Sequence, residues 1–106
     1  MENAELRQGR ARAIITSVCA VLRAARANTT VFVRDLTTPG ADLTVVLQDA
    51  TRMFCEAVSE RHGENPICRW SPEWVESLLA HPEHCEDTLV RIENCLAPLA
   101  EHSITA

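Results

Sequence analysis

The sequence predicts an all-α fold, a small irregular bundle of about four helices in a single domain spanning 1–106. Three observations point there. Apolar residues recur at three- and four-residue spacing in four separate segments, the period of a helix buried along one face. Pro39-Gly40, Gly63, Ser71-Pro72 and Pro82 fall between those segments, where helix ends need them. Only one stretch, 28–38, is dense enough in β-branched residues to suggest a strand.

The first helix is expected over 3–27. Ala11, Ile14, Ile15, Val18, Val21, Leu22 and Ala25 fall on one face, with Arg12, Arg23 and Arg26 opposite. Carried back to residue 3, the same geometry puts Arg7 and Arg10 in line with the apolar stripe. A buried guanidinium needs a partner, so these first turns should either project past the core or meet acids of another chain.

The second helix, 42–62, has the cleanest stripe: Leu43, Val46, Leu47, Ala50, Met53, Phe54, Ala57 and Val58. Asp42 suits the N-cap. Arg61 and His62 sit at the negative end of the helix dipole, and Gly63 suits a left-handed C′ position.

The third helix, 72–80, starts with Ser71 as cap and Pro72 at the first helical position, where its missing N–H is no loss. Trp70 can staple onto Val75, while Val75, Leu78 and Leu79 form the buried side. The fourth, 83–98, buries Cys85, Leu89, Ile92, Leu96 and Leu99, and Pro98 should end its regular part. The connection NTTVFVRDLTT at 28–38 is compatible with a short helix or an extended path. A lone strand there would need a second chain to pair with.

Residues 81–95, HPEHCEDTLVRIENC, raise the question of a metal or redox site. A helix start accounts for nearly every letter. His81 can cap, Pro82 takes the first position, Glu83, Glu86 and Asp87 face the positive dipole end, and Cys85 opens the stripe as a small hydrophobe. Only His84 is left over. His81 with His84, or His81 with Cys85, could share a helical face as metal ligands. Structural zinc takes four ligands, usually from paired short spacings that this chain lacks, so no metal is expected. Five cysteines are an odd number and scattered, which speaks against a disulfide framework. Cys68, in ENPICRW, is the one expected to be exposed and reactive.

Composition limits the function. All ten basic residues are Arg, and the net charge of −5 divides unevenly: +3 over residues 1–28 and −8 over 29–106. An acidic body argues against a dedicated nucleic-acid binder. Arg7, Arg10 and Arg12 before AIITSVCAVL, with ARA at 25–27, imitate a secretory leader. Thr16 and Ser17 break the run, however, and Arg23 and Arg26 stand where a cleavage region should be neutral. With no run approaching a membrane span, the expected location is cytoplasmic and the Asn28 sequon idle. No phosphate loop, nucleophile elbow or H-E-x-x-H occurs, and a bundle this small has little room for a deep pocket. The chain is therefore not expected to be an enzyme or to carry a cofactor.

Trp70 and Trp74 are two of the four aromatic residues, and Arg69 adjoins them. Trp and Arg are the types most enriched at interface hot spots. With Phe32 on a possible exposed apolar edge, and Arg7 and Arg10 available to acids of another chain, the candidate partner-binding residues are Arg7, Arg10, Phe32, Arg69, Trp70 and Trp74. The expected function is a small non-catalytic cytoplasmic regulator that binds another protein, as an anti-activator, inhibitor or adaptor does, and forms a homodimer. Two alternatives stand beside it. One is a metal- or redox-responsive protein using His81, His84, Cys85 and Cys68. The other is nucleic-acid binding through Arg7, Arg10, Arg12, Arg23 and Arg26.

Overall fold

Three helices begin where a side chain accepts from their first free amide groups. The computed structural model describes residues 3–27, 42–64 and 68–105, with side chains up to Cys95. Asn3 Oδ1 accepts from the Leu6 amide at 2.8 Å and opens α1, Ala4–Arg26. Asp42 accepts from the Thr44 amide at 2.9 Å and opens α2, Leu43–His62. Ser71 Oγ accepts from the Trp74 amide at 3.2 Å, ahead of α3, Pro72–Ala80, whose first residue is the expected proline. Such caps contribute about 1 kcal/mol each.

The fourth helix departs from expectation at both ends. A single 3₁₀ turn, Pro82–His84, precedes α4, Cys85–Thr105. His81 makes no side-chain cap there; its carbonyl accepts from the His84 amide at 3.0 Å, and this i→i+3 bond replaces the cap. Pro98 does not stop the helix, which runs on to Thr105. A proline removes only one intrahelical bond, and its neighbours Leu96, Ala97, Leu99 and Ala100 are all strong helix formers.

Side chains from α1, α2, α3 and α4 meet in one core, centred on Ile15, Val18, Leu47, Phe54, Val58, Val75 and Leu89. The principal packed pair is α1 on α2; the 3₁₀ turn and α4 rest on α1, and α3 on α2. The α2 stripe lies as read, with Thr51 and Cys55 also buried beside it. On α1 the buried face is turned from the expected one: Cys19 and Ala24 are buried, and Ala25 is exposed. Gln8 continues this face toward the N-terminus, where its Oε1 accepts from Arg61 at 2.6 Å.

Gly63 closes α2. Its N–H donates to the Ser59 carbonyl at 2.9 Å, and its φ of 77° is positive as expected. Its ψ of 175° lies outside the left-handed helical basin, in a region open essentially only to glycine. Among the described residues, no helix is long and apolar enough to cross a membrane. The connection at 28–38, with Phe32, lies outside the described residues.

Candidate functional site

Along one side of α2, Arg52, Cys55, Glu56, Ser59 and Glu60 recur at helical spacing. With Glu64, Cys68, Arg69 and Trp70 they enclose an open cleft of about 790 Å³. That is more concave surface than a small bundle is expected to offer. Its wall depends on a buried polar residue beside the apolar stripe. Thr51 is wholly buried, and its hydroxyl donates to the Gln48 carbonyl at 2.9 Å while accepting from Trp70 Nε1 at 3.1 Å. Both polar groups are thereby satisfied, as burial demands, and the indole is pinned in one orientation. The Arg52 guanidinium lies 5.1 Å from the centre of the Trp70 ring, a cation–π distance.

The floor of the cleft carries two thiols. Cys55 Sγ and Cys68 Sγ lie 3.7 Å apart, and both residues are buried. Cys68 is only 4% exposed, which corrects the expectation of an exposed thiol. Cys68, which precedes α3, lies against Cys55 of α2. The hydrogen bond between the two sulfurs pulls the Cys68 thiol below its ordinary value, and the same bond together with burial pushes the Cys55 thiol up. A matching pair joins α1 to α4. Cys85 is held below the ordinary range by its hydrogen bond with Cys19, and Cys19 is raised by the same contact and by burial. Cys85 Sγ also lies 3.7 Å from the Ile15 carbonyl.

The remaining candidates divide. Arg69 is exposed on the rim of the cleft, next to Trp70. Trp74 is half-buried and turned to the core, its ring centre 6.3 Å from that of Phe54 at a tilt of 44°. It therefore packs as part of the interior more than as a surface anchor. Arg7 pairs with Glu60 of α2, so the acid comes from the same chain and not from another. Arg10 Nη2 reaches Met53 Sδ at 3.9 Å. Arg12 pairs with Glu93 at 2.9 Å. Arg26 donates to the Leu79 and Ala80 carbonyls at 3.2 and 2.9 Å, capping the C-terminus of α3, and lies 3.4 Å from Glu83. Arg7, Arg12 and Arg26 thus tie helices together, while Arg23 is exposed.

The ligands of the metal alternative also separate. His81, Glu83 and His84 are exposed, with ligand atoms within 4.8 Å of one another. Glu83 Oε1 is 3.5 Å from His81 Nδ1 and 3.9 Å from His84 Nε2. The Glu83 carboxyl is held below the usual carboxylate range by its own backbone N–H, then by His81, His84 and Arg26. Cys85 and Cys68 are buried, Cys85 against Ile15 and Cys68 against Cys55, and neither joins the group of His81, Glu83 and His84.

No protein-family model, curated protein or solved structure matches the chain. Sequence reasoning found Trp70 and Arg69 through their residue types. It missed Thr51, Arg52 and Cys55, since nothing in a helical stripe signals which of its flanking positions a distant loop will cover.

Proposed function

We propose that the protein is a small non-catalytic regulator that binds another protein, and that the cleft beside α2 is where it does so. The observation carrying this reading is the cleft wall: an indole fixed by Thr51 and Arg52, next to exposed Arg69, facing a row of acids. Glu56 and Glu64 are exposed along that cleft, and Glu60 is already partnered by Arg7. The occupant that suits this surface is a basic amphipathic segment. Its apolar residues would lie against Trp70 and its cations along Glu56 and Glu64. The net charge of −8 over residues 29–106 favours the same partner. An inhibitor, anti-activator or adaptor working in the cytoplasm is the biological form of such a module.

The test is titration of the protein with a synthetic basic amphipathic peptide, followed through tryptophan fluorescence. Charge reversal by Glu56→Arg with Glu64→Arg removes two surface attractions of about 1 kcal/mol each. Binding should weaken by about tenfold or more, and the loss should shrink as salt is raised. Equal binding by the reversed variant, or by an acidic peptide of the same apolar pattern, would remove the basis for this assignment.

The reading keeps a homodimer as the resting form. Leu6, on the first turns of α1, is 60% exposed and would be covered by a second copy. Equilibrium sedimentation should show a dimer that Leu6→Glu returns to monomer. A wild-type monomer at high micromolar concentration would end this part of the proposal.

A further inference from the structure

Cys55 and Cys68 are brought together from separate parts of the chain. One belongs to α2, the other to the segment entering α3, and their sulfurs touch at 3.7 Å. A disulfide needs a separation of about 2 Å, so a shift of less than 2 Å along the existing contact would form one. Access comes with the position. Both residues line the open cleft, whereas Cys19 and Cys85 lie between α1 and α4 and do not.

We propose that Cys55 and Cys68 are a redox-active dithiol, oxidised by exchange with a low-molecular-weight disulfide that enters the cleft. Cys68, as thiolate, attacks one sulfur of the small disulfide. A mixed disulfide forms on Cys68, and the first small thiolate leaves. Cys55 then gives up its proton and attacks Cys68 Sγ, which forms the Cys55–Cys68 bond and expels the second small thiolate. The two protons from the cysteines end on the two released thiols. Two protein thiols are oxidised and one small disulfide is reduced.

Either sulfur can donate in this contact, and we assign the attack to Cys68. The S–H of Cys55 can donate to a Cys68 thiolate, and this favours the charged form of Cys68. Cys55 is then the thiol that waits and resolves. Neither step uses Trp70 or Glu56, so the dithiol does not depend on what the cleft binds.

Glutathione redox buffers provide the test, with Cys95→Ser as background because Cys95 is exposed and would react on its own. Cleavage after arginine leaves Cys55 on peptide 53–61 and Cys68 on peptide 62–69, so their linkage is read directly by mass under non-reducing conditions. In oxidised buffer these two peptides should become joined, with the loss of two hydrogens, and reduction should separate them. Cys55→Ser should trap glutathione on Cys68, several-fold faster than Cys68→Ser traps it on Cys55. Circular dichroism establishes that both variants are folded. Failure of peptides 53–61 and 62–69 to join in the folded background protein would overturn the proposal, whatever the variants do. Equal trapping in the two variants would overturn the assignment of Cys68 as attacker. Linkage of peptides 13–23 and 70–91, carrying Cys19 and Cys85, at the same rate would overturn the role given to the cleft.

Discussion

Phe54→Ala is expected to remove about 3–5 kcal/mol of stability, the range for a fully buried aromatic replaced by a methyl group. Phe54 is 0% exposed and is the largest of the fully buried side chains. Its ring also faces Trp74 at 6.3 Å, so the change empties a volume and severs an aromatic contact between α2 and α3. A domain of this size holds roughly 5–15 kcal/mol in total. The variant should therefore fall near the edge of folding, with a Tm lowered by well over about 10 °C. Leu47→Ala, in the same core but with no aromatic partner, should cost about 2–5 kcal/mol. Urea unfolding of both, with the slope against denaturant unchanged, would separate lost stability from a changed unfolded state. A loss below about 1 kcal/mol in Phe54→Ala would mean that this face of α2 is not the buried one.

The helices were legible because each carries its own instructions. Leu47, Ala50, Phe54, Ala57 and Val58 repeat at helical period, and Asp42 and Ser71 are caps that act over two or three residues. What could not be read is how distant positions pair. Arg7 and Glu60 are 53 residues apart, and no local rule connects them. The same holds for Trp70 and Thr51, 19 apart. Thr51 lies outside the apolar stripe that marks α2 in the sequence, yet it is the acceptor that orients the cleft wall. Cys68 was misread for a related reason, whereas Cys85 is buried as its place in the stripe implied. Cys is small and apolar enough to be buried wherever packing allows, so its sequence neighbours say little about its exposure. His81 failed as a side-chain cap because the adjoining proline favours a tight turn in which the His81 carbonyl accepts from the His84 amide instead. The turned face of α1 has a comparable cause. Its small residues, Cys19 and Ala24, are buried, while Ala25 is not, and alanines on both sides of a helix blur the direction of the stripe.

Gly63→Ala should cost about 1–3 kcal/mol, the range for a residue forced into backbone geometry that a side chain disfavours. The reason lies in the path the chain must follow. Cys55 stands eight residues before Gly63 in sequence, so it lies about 12 Å back along the helix axis at 1.5 Å per residue. Only five residues later Cys68 must touch it, and five residues span at most about 17 Å. The chain must therefore reverse almost at once after the last turn of α2. A φ of 77° with ψ of 175° is how Gly63 begins that reversal. A Cβ built there meets nothing within 4 Å, so the penalty comes from the backbone alone and not from a collision. This allows a sharper comparison. Asparagine relieves strain in the left-handed helical basin, near ψ of about 47°, which is not where Gly63 sits. Gly63→Asn should consequently be as costly as Gly63→Ala, as measured by urea unfolding under reducing conditions. Recovery of stability by asparagine would show that the chain leaves α2 through an ordinary left-handed cap. In oxidised buffer both variants should also join Cys55 to Cys68 more slowly, because a strained exit holds Cys68 less firmly against its partner.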